Sequence, residues 1–230
     1  MSINSIILET AVKNFIPHIE HHDLKNVNWK ELSEVNLLEE LVLCLLSSSV
    51  KYEVAVSYIG YFTEAGFFKS WILNVPNQNE LYSILNTPIL VKSRYVRYRF
   101  PKQKSIQLYS LIVNVYGQGS SIKQILNKSN DPKFIRENLV EICSGIGNKQ
   151  SSMFLRNIGF TNKLAILDTH LIDYLKAIQI IPSNFILNTN KKYILVEDKY
   201  LDYAVSNNFD MSYLDSAIWS IMKVYKKEFA

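Results

Sequence analysis

The chain has few of the residues that break or cross-link a fold. Seven glycines and six prolines in 230 residues exclude an architecture of many tight hairpins and point to helices joined by short connections. Two cysteines, Cys44 and Cys143, lie far apart with no Cys-x-x-Cys between them. That excludes a disulfide framework, a sequence-evident zinc site and a four-cysteine iron–sulfur cluster. Long apolar runs are also missing. The stretch Leu37–Leu46 is interrupted by Glu39 and Glu40 and is too short to span a bilayer, and no secretory signal is visible. The expectation is a cytoplasmic protein with reduced thiols. Strong charge of one sign is absent too: the net charge of +4 is a mild lean toward polyanionic partners. What is present is a 48% hydrophobic, 20% charged composition, enough for one large domain or two small lobes.

The hydrophobic periodicity predicts an all-α chain. Residues 5–16 carry apolar positions at helical spacing, and Pro17 is expected to close that helix. His18, His21 and His22 cluster beyond it, but no carboxylate–histidine spacing follows and no metal is inferred. Residues 36–46 form a helix with an apolar stripe through Leu37, Leu38, Leu41, Val42, Leu45 and Leu46, with Asn36 as its cap; Cys44 falls in its core. Further helices are expected over 54–62 with a stop at Gly66, over 79–85 before Pro88, over 104–116 before Gly117 and Gly119, from Asp131–Pro132 onward, over 169–178 and over 212–225. Residues 185–196 lack sustained alternation and are assigned to loop or a short helix.

Three of the seven glycines, Gly145, Gly147 and Gly159, fall close together. The run Cys143-Ser-Gly-Ile-Gly-Asn-Lys149 sits between two predicted helices. It reads either as a plain two-helix turn or as a hairpin whose amides grip a phosphate, with Ile146 anchoring it to the core. Lys149 then stands in the first helical turn, where the helix dipole disfavours an ammonium; it is a surface lysine or a nucleophilic amine. Nineteen residues on, the apolar run Leu164-Ala-Ile-Leu ends at Asp168 before Thr169 and His170. Asp168 caps a helix, and a capped carboxylate is also fixed to stabilise positive charge. Lys92, Arg94, Arg97, Arg99, Lys102 and Lys104 fall within 13 residues that contain no acid, interleaved with Tyr95, Tyr98 and Phe100. Such a segment is a solvated face or a phosphate-binding one.

The stretch from Gly145 to Phe160 with Ala165-Ile-Leu-Asp168-Thr-His resembles the small archaeal and bacterial 8-oxoguanine DNA glycosylase/AP lyase family, within the helix-hairpin-helix superfamily. Glu40–Leu46, Val96–Lys104 and Tyr213–Trp219 extend the resemblance. It implies two helical lobes, one of residues 1–60 with 168–230 and a central one of 61–167 holding the helix-hairpin-helix at about 132–159, with a base-binding cleft between them. By the same resemblance Lys149 attacks C1′ of the damaged nucleotide and Asp168 stabilises the developing charge. A Schiff base then permits β-elimination, with the base flipped out of the duplex. Gly145 and Gly147, with Arg97, Arg99, Lys102 and Lys104, would contact double-stranded DNA; Asp215 and Trp219 would line the base pocket. No cofactor or metal is implied, and the protein is expected to act as a monomer on nucleoid DNA.

Two departures touch substrate choice. Ser47-Ser-Ser49 replaces a Thr-Pro-Gln-like turn, and the end, Val224–Ala230, lacks the usual glycine and terminal lysine. A glycosylase for another modified base, such as one carried by phage DNA, and a non-catalytic helix-hairpin-helix DNA-binding module remain open at this point, as does Trp219 packing in the core.

Overall fold

The computed structural model describes residues 5–20 and 27–229. His21 and His22 lie outside them. Contacts divide the chain into two units. One combines its first 26 residues with residues 161–230, and the other runs from Val27 to Phe160. The expected boundaries at 60 and 168 therefore move. Residues 27–60 join the central unit because their main helix is its core, and 161–167 join the terminal one.

In chain order, α1 (Ser5–Glu20) belongs to the terminal unit. The central unit holds α2 (Glu34–Leu46), α3 (Tyr52–Glu64), α4 (Phe67–Leu73), α5 (Gln78–Asn86), β1 (Ile89–Val91), β2 (Arg94–Val96), α6 (Pro101–Tyr116), α7 (Ile122–Leu126), α8 (Pro132–Ile142) and α9 (Asn148–Asn157). The terminal unit continues with α10 (Thr169–Ala177), α11 (Asn190–Ser206) and α12 (Met211–Phe229).

In the terminal unit α1 and α10 both pack on α12. Val12, Leu171, Tyr174, Val196, Tyr200, Leu214 and Ile218 fill its core. Pro17 lies inside α1 rather than ending it. Ile16 and Ile19, on either side of the proline, both pack against that core, and this burial carries the helix through the missing N–H. The segment 185–196, assigned to loop or a short helix, belongs in its second half to a long one: residues 190–196 are the first turns of α11. Thr189 caps it by accepting the Lys192 N–H, and Tyr193, Val196, Tyr200 and Ala204 form its buried stripe. Lys191, Lys192 and Asp198 dilute that stripe in the sequence.

In the central unit α2 is buried along most of its length, and it packs on α3, α4, α7 and α9. Its cap is Ser33, whose hydroxyl accepts the Asn36 N–H at 3.1 Å; Asn36 is the third helical residue, not the cap. Glu34 reaches from the first turn to accept from the Tyr116 hydroxyl and from the backbone N–H groups of Ile122 and Lys123, closing the start of α7. Phe62, Phe67, Phe68 and Trp71 pack edge-to-face or stacked at the α3–α4 corner. The antiparallel hairpin β1–β2 was not expected. It pairs Ile89 with Val96, Leu90 with Tyr95 and Val91 with Arg94, and Lys92 adopts a left-handed φ of 56° at its turn.

Candidate active site

The α8–α9 turn is held from below by α6. The Asn114 side-chain amide donates to the Ile142 carbonyl at 2.7 Å, satisfying the end of α8. Gly145 has φ +84°, a conformation that favours glycine, and its bare Cα leaves room for the end of the Gln107 side chain, which a Cβ would displace. Ile146 is buried, as expected of an anchor, and its N–H returns to the Cys143 carbonyl at 3.0 Å. The Gly147 N–H is taken by the Gln150 side chain at 3.3 Å. Gly147 precedes the first residue of α9 and offers no side-chain oxygen to the amides of that first turn.

Lys149 is the second residue of α9 and is half-buried. Because α9 packs on α2, its charge reaches the Cys44 thiol. Burial first, then the Glu40 carboxylate, push that thiol well above its ordinary range, and Lys149 pulls only weakly the other way. Glu40 also accepts the Asn157 amide at 2.8 Å. Burial pushes Cys143 up to about 12. Both thiols stay protonated and unreactive.

Asp168 belongs to the terminal unit, and its approach is fixed by two side chains of α11. The Tyr193 hydroxyl donates to the Ala165 carbonyl at 2.7 Å, and Glu197 accepts the Ala165 N–H at 3.0 Å. Asp168 is extended (φ −91°, ψ 179°), and its carboxylate accepts the Leu171 N–H at 2.8 Å, capping α10. Two residues on stands His170, which the sequence reading left without a role. Burial lowers its pKa and outweighs the opposing pull of Asp168, so the imidazole is neutral near pH 7. Its Nδ1 is buried without a hydrogen-bond partner, and its ring meets Trp219 edge-on at 6.1 Å. Its spacing from a helix-capping aspartate was the available signal.

Trp219 is 45% exposed, so it is not the core tryptophan that the sequence left open; the Lys223 ammonium lies 4.4 Å from its ring centroid. Asp215, one turn earlier, accepts a short hydrogen bond from the Tyr200 hydroxyl. A cavity of this unit, about 880 Å³, lies by the C-terminal half of α10, with none of Asp168, His170, Asp215 or Trp219 in its lining.

The basic segment divides. Arg97, Arg99 and Lys102 are exposed. Lys104 is not: it is 5% exposed and donates to the Leu45 carbonyl at 2.8 Å and the Ser48 hydroxyl at 2.6 Å, closing the end of α2. This corrects its expected place among the phosphate contacts. Burial lowers its pKa to about 8. Among the described residues no group of three His, Cys, Asp or Glu is placed to hold a metal ion, and no helix is long and apolar enough to cross a membrane.

The family model described as 8-oxoguanine DNA glycosylase (Ogg-HhH) matches residues 20–209. The chain is 28% identical over 220 residues to the 8-oxoguanine DNA glycosylase/AP lyase of Saccharolobus islandicus, covering 93% of this chain and 96% of that one. The crystal structure of the Methanocaldococcus jannaschii 8-oxoguanine DNA glycosylase shares the fold, with a TM-score of 0.72 at 23% identity, covering 93% of this chain and 92% of that one. The same archaeal glycosylase/lyase in complex with a 15-mer DNA containing 8-oxoguanine matches with a TM-score of 0.66 at 23% identity, over 93% and 87% of the two chains.

Proposed function

This chain belongs to the 8-oxoguanine DNA glycosylase family of helix-hairpin-helix type, and from that membership we propose that it is a DNA glycosylase/AP lyase that excises 8-oxoguanine and then cuts the strand. The observation that carries the chemistry is a half-buried lysine in the first turn of the helix that follows a glycine turn. The Lys149 amine attacks C1′ of the flipped nucleotide; the C1′–N bond breaks, and the base leaves with the bonding pair and takes up the proton the amine gives up. The capped Asp168 carboxylate stabilises the positive charge that develops on the sugar. Ring opening leaves an imine between Lys149 and C1′. Loss of a C2′ proton then expels the 3′ phosphate, which is β-elimination.

The Gly145 amide and the first-turn amides of α9 receive a backbone phosphate. Arg97, Arg99 and Lys102 meet further phosphates, and Asp215 and Trp219 serve the base pocket. The protein works as a single chain on nucleoid DNA and needs no cofactor. The bond from Tyr200 commits one Asp215 oxygen, and that observation keeps a different oxidised or modified base as the second reading.

The test is borohydride trapping on a duplex with one 8-oxoguanine. Wild type gives a covalent band; Lys149→Gln gives none. Asp168→Asn slows trapping by about a hundredfold or more. A band on an abasic site but not on 8-oxoguanine moves the substrate to another modified base. No band on either substrate removes the lyase chemistry and leaves a DNA-binding module.

A further inference from the structure

The β1–β2 hairpin is mounted rigidly. At its base the Tyr58 hydroxyl accepts the Tyr98 N–H at 2.8 Å and reaches the Thr87 carbonyl at 2.9 Å, bracketing both strands. Ile89 and Val91 are buried beneath it, and at the turn Lys92 pairs with Glu53 of α3. On the opposite face Leu90 and Tyr95 stand directly across from each other, 59% and 78% exposed. Two large side chains left facing solvent on a fixed ribbon are a contact surface awaiting a partner.

The charge around them names its chemistry. From Leu81 to Asn130 the sequence has no acidic residue and eight Lys or Arg. Lys104 is buried, Lys92 is paired, and Arg94, on the other face of the ribbon with Val91, directs its charge at Glu53, but Arg97, two residues beyond Tyr95, is exposed. Arg97 also lines a cavity of about 480 Å³ with Lys51 and Arg99, over Val54 and Val96. Glu53 of α3 is the acid that meets this segment, and it is taken up by Lys92; an arginine left over takes a phosphodiester, and an exposed aromatic ring takes the face of a base. A base offers its face only when its stack is opened, and turning a nucleotide out of a duplex opens the stack beside it.

We propose that Tyr95, backed by Leu90, is a stacking platform for an unpaired base of the bound DNA, with an adjoining phosphodiester held by Arg97. This rests on the DNA-glycosylase reading above and adds to it a contact on a separate element from the α8–α9 turn.

The test uses a duplex carrying a non-cleavable abasic analogue with 2-aminopurine opposite it, measured at saturating protein. Wild type and Tyr95→Phe quench the 2-aminopurine fluorescence. Tyr95→Ala does not, binds the duplex about tenfold more weakly and keeps its melting temperature, because the side chain is exposed. The proposal is overturned by wild type binding without quenching, or by Tyr95→Ala quenching and binding like wild type. It is equally overturned by Tyr95→Ala that keeps its DNA affinity but loses self-association in sedimentation, which would assign the face to a protein partner. Wild type that binds no DNA at all overturns the glycosylase reading as well.

Discussion

Helices α9 and α10 each begin at a residue assigned a chemical role, yet their starts are built in opposite ways. The start of α10 is closed: the Asp168 carboxylate accepts the Leu171 N–H and leaves that helix turn less to offer an outside anion. The start of α9 is open: Gly147 has no side chain to turn onto its amides, and its own N–H is taken by Gln150. A closed start fixes a carboxylate in place. An open start leaves positive partial charge for a ligand, which on the proposed reading is a phosphate. The same local feature, a helix N-terminus, thus positions a side chain in one unit and, on the proposed reading, binds an anion in the other.

Asp168 gives the largest effect, because its two jobs separate. Asparagine caps as well as aspartate but carries no charge. Asp168→Asn should therefore keep the melting temperature within a degree or two while losing the hundredfold or more in trapping. Asp168→Ala should lose the same activity and also about 1 kcal/mol of stability, read by urea denaturation. An Asn variant that is as active as wild type would reduce Asp168 to a cap and dissolve the contrast.

Closing the open start should come next in size. Gly147 has φ −101°, which any residue adopts, and a Cβ there would sit 3.6 Å from the Gln150 amide oxygen, an ordinary contact. Gly147→Asp should stabilise the protein by a few tenths of a kcal/mol, since aspartate caps better than glycine. It should also weaken duplex binding by about tenfold, because the carboxylate occupies and repels where the phosphate sits. Gly147→Ser, a cap without charge, should fall between. Binding by fluorescence anisotropy reads this, and unchanged affinity in Gly147→Asp would move the phosphate away from α9.

Much of this was legible before the structure. The Gly-Ile-Gly turn, the Asp131–Pro132 start and the apolar stripe of α2 follow from periodicity and capping chemistry, which are local. What stayed hidden depends on tertiary contacts. The β1–β2 hairpin has strands of only three residues and no Asn-Gly turn; Lys92 takes the left-handed turn position and pairs with Glu53, from a distant helix. Lys104 read as one more cation of a basic run, because nothing in the run shows that α2 ends beneath it. His170 carried a readable spacing, but its burial against Trp219 depends on α12.

Lys104 extends the comparison to a helix end closed from within, and it supplies the smallest effect. Its pKa in the folded protein is about 8, because burial disfavours the ammonium, while the unfolded chain holds the proton to about 10.4. Between those values the unfolded chain binds more protons, so stability from this group rises with pH from about 8 upward; below that window its cost is present in full. Lys104→Met removes both the charge and its bonds to Leu45 and Ser48. At pH 7 the loss of the bonds and the relief of a buried charge oppose each other, and the two proteins should denature within about 1 kcal/mol of each other. Between pH 7 and 9.5 wild type should gain about 2 kcal/mol relative to the variant, since the tyrosines and other titrating groups are common to both and cancel in the difference. A constant difference across that range would mean that the ammonium at the end of α2 is solvated well enough to keep its proton.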